Sequence, residues 1–174
     1  MSATTNSHTH KQIAKTSLDY MAESYWQDFV AAQPIAGGIA YEAQLHNCQL
    51  DETLESLQRI DTLLSKIRRD HAKSNSLDEA WLLGDDRYQH LLWFLAFYAG
   101  RVLARQWHSL PHWYGQFELK KHYPELALTA DDFYQQMAVI YGDKFLGDVL
   151  ADDALGSDRV FFALEPIGQR LFGH

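Results

Sequence analysis

The sequence contains a single cysteine and none of the features that mark a secreted or membrane-spanning protein. Among its 174 residues Cys48 is the one thiol, so no internal disulfide can form and no second cysteine can share a zinc ion. Residues 1–12 lack the apolar core of a signal peptide, and the longest apolar run, residues 91–100, is about half of the ~20 residues that a membrane span needs. We therefore expect a cytoplasmic protein with no membrane partner.

Positive charge is also scarce. The chain has 15 Lys and Arg residues against 23 Asp and Glu residues, a formal net charge of -8. Phosphate backbones and anionic surfaces are bound by clustered cations, and here the acidic excess extends over both halves of the chain. We expect no nucleic-acid partner.

The common catalytic and cofactor motifs are missing. The sequence has no G-x-S-x-G, S-x-x-K, P-loop or G-x-G-x-x-G pattern. It has nine histidines, but His8 and His10 lie in a polar terminus, and Pro111 breaks the helix that would place His108 and His112 on one face. The sequence predicts no metal and no cofactor, and it leaves open whether the protein is an enzyme.

What the sequence does have is enough apolar material for one core, with 47% hydrophobic and 13% aromatic residues. The polar residues 1–10 are predicted to form a mobile arm, and residues 11–174 a single globular domain. Helical periodicity predicts helices over residues 11–33, 49–71, 76–84, 86–107, 130–150 and 166–173. Alternating patterns predict short strands over residues 39–46, 113–120 and 160–164. The predicted fold class is therefore α+β, mainly helical, with a central apolar helix and a small antiparallel sheet.

The central helix is predicted at residues 86–107, with Asp86 as its N-cap, because its middle is apolar around the whole circumference. Gly100 inside it is interpreted as a place where another helix crosses closely. For residues 130–150 an apolar stripe favours a helix. A hairpin that turns at residues 141–143 is the alternative, because Gly-Asp is a turn dipeptide.

Three short segments carry a resemblance: LESLQRIDTLL at residues 54–64, FYAGRVL at 97–103 and FFALEPIGQRLFG at 161–173. In this respect residues 50–174 resemble a loose group of uncharacterised bacterial proteins, which combine such a helix with an apolar helix containing a Tyr-x-Gly element. Where that group tends to carry an acid after the glycine, this chain has Arg101. The resemblance implies a bacterial origin and an α+β domain, and it implies no activity.

Asp61 is the first candidate functional residue, because it lies inside the apolar stripe of its predicted helix, where a carboxylate needs a partner. Arg101 is the predicted partner, since a guanidinium can bond to both oxygens of a carboxylate. The pair is interpreted first as a structural ion pair between facing helices and second as a binding or catalytic group.

An aromatic cluster at the end of the central helix supplies the other candidates: Trp107, Trp113 and Tyr114, with His112 beside them. Most such rings pack in a core. The alternative is a pocket wall or an anchor for a partner protein, because Trp and Tyr combine a large apolar area with a polar group.

These residues allow two classes of function. The favoured one is a non-enzymatic interaction or regulatory protein that binds another protein or itself, as a homodimer formed through the apolar stripe of residues 14–29. The alternative is a small-molecule-binding domain or an unfamiliar hydrolase. A deep pocket near Arg101 and residues 107–114 would favour this alternative, whereas buried Trp113 and Tyr114 side chains would exclude a partner interface at that place.

Overall fold

The computed structural model describes residues 15–73, 78–129, 131–142 and 160–173. The predicted arm, residues 1–10, lies outside these ranges. The helices are α1 (Ser17–Val30), α2 (Glu42–Asn47), α3 (Leu54–Lys73), α4 (Glu79–Leu83), α5 (Asp86–Gln106), α6 (Gln116–His122) and α7 (Leu164–Phe172). The strands are β1 (Leu110–Gly115) and β2 (Met137–Gly142), and a short 3-10 helix covers Phe133–Gln135. The mainly helical α+β class with a small antiparallel sheet is confirmed.

Helix α5 is the central element, as its all-round apolar middle predicted. Its residues 94–98 are all buried, and it packs against α1, α3, α4, α7 and β1. The side chain of Asp85 accepts a hydrogen bond from Arg87 N at 2.9 Å. Asp85 is therefore the N-cap, and the assignment of that role to Asp86 was wrong by one residue.

Gly100 is in close contact with a side chain rather than with a crossing helix. A Cβ atom added there would lie 2.5 Å from Cζ2 of Trp113, which belongs to β1. The indole ring is 2% exposed. Glycine is thus needed because the ring of Trp113 packs directly on the α5 backbone.

Helix α1 begins with a reciprocal cap rather than at residue 11. Thr16 Oγ1 accepts a hydrogen bond from Asp19 N at 3.1 Å, and the Asp19 carboxylate accepts one from Thr16 N at 3.0 Å. This cap satisfies two donors at the helix start. Tyr25 and Phe29, from the stripe predicted to form a dimer, are buried against the chain's own core, and the homodimer stays a prediction.

The strand predicted over residues 39–46 is wrong. Residues 42–47 form α2, in which Leu45 N donates to the Tyr41 carbonyl at 2.9 Å. Ile39 and Leu45 are buried, at 1% and 0% exposure. Ile39 precedes α2 and Leu45 lies within it, so the two are buried without belonging to one strand, and the short alternation did not distinguish a strand from a loop followed by a helix.

The sheet pairs β1 with β2 in antiparallel register, with Trp113 opposite Val139 and Leu110 opposite Gly142. The strand predicted at 113–120 is therefore shifted, because residues 116–122 form α6. The strand predicted at residues 160–164 is reduced to an isolated bridge between Phe161 and Val139, and Leu164 is the first residue of α7.

The helix predicted over residues 130–150 is wrong for residues 137–142, which form β2, and residues 143–150 lie outside the described ranges. All of residues 137–140 are at most 1% exposed. Val139 packs in the main core and Ala138 and Ile140 in a second cluster on the other face. A strand buried on both faces has no polar alternation, so its apolar residues also fitted a helical stripe. The alternative hairpin turn at 141–143 begins where β2 is still paired, since Tyr141 and Gly142 lie opposite Pro111 and Leu110.

Helix α3 starts later than predicted, at Leu54, so Asp51 and Glu52 precede it instead of forming its first turn. Asp78 caps α4 through its side chain, whereas the sequence, with Ser76 opening the helix predicted at 76–84, placed the cap at a residue that lies outside the described ranges. In the part of the chain that the structure describes, no helix has the length and apolar character to cross a bilayer.

Candidate functional site

A cavity of about 570 Å³ lies between α1, α5 and the start of β1. Small-molecule sites in proteins usually measure about 300 to 1,000 Å³. Its wall residues recur every three or four positions along α1 and α5, so each helix presents one face to it. They are Asp19, Ala22, Glu23, Trp26, Phe94, Phe97, Tyr98, Arg101, Ala104 and Arg105, joined by Lys15, Tyr25, Gln27, Glu52 and residues 109–113.

The deep wall of the cavity is aromatic. Trp26 packs on Tyr98 with ring centroids 5.3 Å apart, and Phe97 meets Trp113 edge to face at 4.9 Å. All four rings are at least nine-tenths buried in the fold. Such a wall contacts an apolar or aromatic group through dispersion and ring stacking.

Two arginines and one glutamate form one side of the cavity rim. Arg101 Nε donates to Glu52 Oε1 at 2.6 Å, and Arg105 Nη1 lies 3.5 Å from Glu52 Oε2. The Arg101 guanidinium also lies over the Trp26 ring, 5.2 Å from its centroid. The charged rim is therefore in contact with the aromatic wall.

Glu52 is placed there by an unusual backbone conformation, since its φ of 65° lies in the left-handed region. For a residue other than glycine this conformation costs about 1 to 3 kcal/mol. Its N–H donates to the Tyr98 hydroxyl at 2.7 Å, and that hydroxyl is 2.8 Å from Ser56 Oγ. Burial raises the pKa of Tyr98, and its hydroxyl holds the Glu52 backbone in place by accepting the hydrogen bond from its N–H.

Another part of the rim is a lysine–glutamate pair. Lys15 Nζ donates to Glu23 Oε2 at 2.9 Å. This hydrogen bond raises the pKa of Lys15 and lowers the pKa of Glu23. The pair is exposed and its charges cancel.

Asp19 joins α1 to β1 at the end of the cavity. Its side chain is 8% exposed and accepts a hydrogen bond from Trp113 N at 2.7 Å in addition to the bond from Thr16 N. The Thr16 hydroxyl donates to the Trp113 carbonyl oxygen. These bonds fix the position of Trp113 and of the cavity wall that it forms.

His112 lies beside this connection. Its Nδ1 is 3.7 Å from Asp19 Oδ2. The Nδ1 atom is buried and has no hydrogen-bond partner among the described residues. His112 thus adds a polar ring nitrogen near the cavity wall.

The structure brings three of the six predicted site residues to the cavity: Arg101, His112 and Trp113. Trp107 is 57% exposed, packs edge-on against Tyr141 at 5.1 Å and is not part of the lining. Tyr114 lies in the second cluster, in contact with α6 and β2 residues.

The predicted pair of Asp61 with Arg101 is wrong. Asp61 bonds to Arg170 of α7, with Nε–Oδ1 at 2.5 Å and Nη2–Oδ2 at 3.1 Å, and both side chains are about half exposed. Asp61 was predicted to lie inside the apolar stripe because its angular position on the predicted helix falls between those of Leu50 and Leu54. Leu50 precedes α3, and Leu54 is 47% exposed, so this sector of the helix faces solvent beside α7.

Partner anchoring by the two central aromatics is excluded at this place, because Trp113 is 2% and Tyr114 is 5% exposed.

Sequence reasoning missed Trp26, Asp19 and Glu52 as site residues. The spacing of Thr16 and Asp19 matches a capping box, and this signal could have located the cap. No local signal indicates that the same carboxylate also reaches Trp113, which is 94 residues away.

Among the described residues no group of three or more His, Cys, Asp or Glu side chains is arranged to hold a metal ion.

Comparisons of the chain with protein-family models, curated proteins and solved structures found no match.

Proposed function

We propose that this protein is a small-molecule-binding domain, and that its ligand places an apolar or aromatic body in the cavity between α1, α5 and β1. The observation that carries the proposal is the cavity of about 570 Å³ with an aromatic wall and charges at its rim. Binding sites for small molecules combine a mainly apolar lining with a few polar groups that orient the ligand. Arg101 and His112 supply such groups here.

Preorganisation supports the same proposal. Trp113 is held by Asp19, by Thr16 and by close packing on Gly100. A wall that is fixed before binding loses little conformational entropy when a ligand arrives. The chain therefore keeps this side of the cavity ready to bind.

Binding, rather than hydrolysis, is the function that the geometry favours. Ser109 is the serine in the lining, and its hydroxyl donates to the Trp107 carbonyl at 3.3 Å. A serine nucleophile would instead be bonded to a base such as His112. We therefore assign His112 a part in ligand orientation.

Titration with the neutral fluorescent dye N-phenylnaphthylamine tests the proposal. We expect one dye molecule to bind per chain. Ala22 is a half-buried wall residue of α1. In the variant Ala22→Trp the added indole would occupy the cavity, and we expect dye binding to weaken by at least about tenfold, equivalent to ~1.4 kcal/mol.

Ala72→Trp is the matched control, because Ala72 is exposed on α3 and does not line the cavity. It should bind the dye as the wild type does. Ala22→Leu, with a smaller added volume, should give an intermediate loss if the tryptophan variant unfolds. Equal dye affinity of the wild type and both Ala22 variants would refute the proposal.

A further inference from the structure

The charged residues that line the cavity are three cations, Lys15, Arg101 and Arg105, and three carboxylates, Asp19, Glu23 and Glu52, so the lining is neutral overall and its positive charge is concentrated on one side of the rim. Lys15 is matched by Glu23 at 2.9 Å, and the Asp19 carboxylate accepts two backbone N–H bonds beside His112. On the remaining side the guanidinium groups of two arginines share the single carboxylate of Glu52. Among the described lining residues, this is where positive charge is in excess.

Resting on the proposed function above, we propose that the ligand is an amphipathic organic anion whose oxyanion group binds Arg101 and Arg105, and that Glu52 occupies this anion site until the ligand displaces it.

The guanidinium groups can receive an anion. The side chains of Arg101 and Arg105 are 44% and 65% exposed. Arg101 uses its Nε for Glu52, and within the described part of the chain no hydrogen bond involves its two terminal nitrogens. A planar guanidinium with free N–H groups binds carboxylate, sulfonate and phosphate oxygens in a fixed geometry.

The anionic group and the apolar group of such a ligand can both bind in one continuous site. The Arg101 guanidinium lies 5.2 Å from the centroid of the Trp26 ring, and Trp26 belongs to the aromatic wall. An anion bound at Arg101 therefore has its attached apolar group directly against that wall. The ligand class follows from this contact between charge and ring.

Glu52 is built as an exchangeable competitor. It comes from the segment before α3, not from the helices that form the wall, and its position depends on the hydrogen bond from its N–H to the Tyr98 hydroxyl at 2.7 Å. Because that bond involves the Glu52 backbone, the side chain can rotate its carboxylate away from the arginines while the bond to Tyr98 remains. An incoming oxyanion replaces the same charge-assisted contacts.

The test compares two dyes that share an apolar body: anilinonaphthalene sulfonate, which is anionic, and N-phenylnaphthylamine, which is neutral. We expect Arg101→Met to weaken sulfonate binding by about tenfold and to change the affinity for the neutral dye much less, since the methionine keeps an apolar stem beside Trp26. Glu52→Gln should strengthen sulfonate binding several-fold, because it removes the competing charge, and should change the affinity for the neutral dye much less.

Arg170→Met is the matched control. Arg170 has the same 44% side-chain exposure as Arg101 and is likewise paired with a carboxylate, Asp61. It does not line the cavity, so its loss should change neither dye. Lys15→Met tests the lysine–glutamate part of the rim and should have a smaller effect than Arg101→Met.

The outcomes separate the two proposals. If both dyes bind with equal affinity and neither Arg101→Met nor Glu52→Gln distinguishes them, the anionic ligand class is refuted while the cavity stands. A Glu52→Gln effect of equal size on both dyes would show that Glu52 shapes the cavity, and this too overturns the inference. If neither dye responds to Ala22→Trp, the binding function itself fails.

Discussion

Replacing Asp19 should destabilise the protein more than any other single change at the rim of the cavity. The side chain is 8% exposed and accepts hydrogen bonds from Trp113 N at 2.7 Å and Thr16 N at 3.0 Å. Asp19→Ala removes both acceptors. It leaves the Trp113 N–H unsatisfied in a residue that is 2% exposed.

The magnitude follows from these two bonds. A hydrogen bond to a charged group contributes about 1.5 to 3 kcal/mol, and some of this is recovered because the carboxylate no longer has to be desolvated. We expect the free energy of unfolding to fall by about 3 kcal/mol in Asp19→Ala. Asp19→Asn keeps an oxygen for Trp113 N but turns an amide N–H₂ toward Thr16 N, so it should lose about half as much.

Urea denaturation monitored by tryptophan fluorescence measures both variants. Glu23→Ala is the control, because Glu23 is a carboxylate on the same helix whose side chain is 52% exposed. Its ion pair with Lys15 is solvated, so its loss should have little effect on the free energy of unfolding. A cost for Asp19→Ala no larger than that for Glu23→Ala would refute the assigned role of the Asp19 carboxylate.

Three further predictions follow from the packing. Gly100→Ala places a Cβ 2.5 Å from the ring of Trp113, so an overpacking cost of about 1 to 3 kcal/mol should outweigh a gain in helix propensity of up to ~1 kcal/mol and lower the free energy of unfolding. In the control variant Gly115→Ala the added Cβ would be 3.8 Å from its nearest neighbour, so urea melts should show a nearly unchanged free energy of unfolding. Asp61→Ala should leave the urea midpoint near that of the wild type, because the side chain is 53% exposed and exposed ion pairs contribute little; a large shift would show that the pair is not solvated. Burial, assisted by the charge of Asp19, raises the pKa of Tyr114 from 10.0 to about 12. The neutral Tyr114 side chain therefore makes its full contribution to stability below pH 10, and this contribution, on the order of 2 kcal/mol, is lost as the pH rises to 12. In alkaline melts Tyr114→Phe should lack this part of the decline in stability.

Part of the site was predictable because three of its residues were already conspicuous in the sequence. Arg101 follows a glycine inside an apolar helix, and His112 and Trp113 follow the proline that ends it. Those positions line the cavity. The predicted partner of Arg101 was wrong because an ion pair depends on which helix faces meet, and Glu52 reaches Arg101 from a segment with a left-handed backbone that no periodicity indicates.

Local sequence by itself determined the central helix α5 and the positions of α1 and α3, because an apolar stripe with a 3.6-residue period can be buried in only one way along a helix. The cap at Asp78 is likewise local, since its side-chain oxygen accepts from N–H groups two and three residues away, although the sequence pattern had placed the cap two residues earlier.

Tertiary structure alone decided the identity of β2 and the existence of the cavity. Residues 137–140 are buried on both faces, so their apolar run was compatible with a helix until β1 supplied its hydrogen-bond partners. The cavity lies between α1, α5 and the start of β1, and the bonds of Asp19 and Thr16 to Trp113 connect its α1 and β1 sides. Contacts across more than ninety residues leave no local pattern, because each partner also satisfies a purely local role as a cap or a core residue.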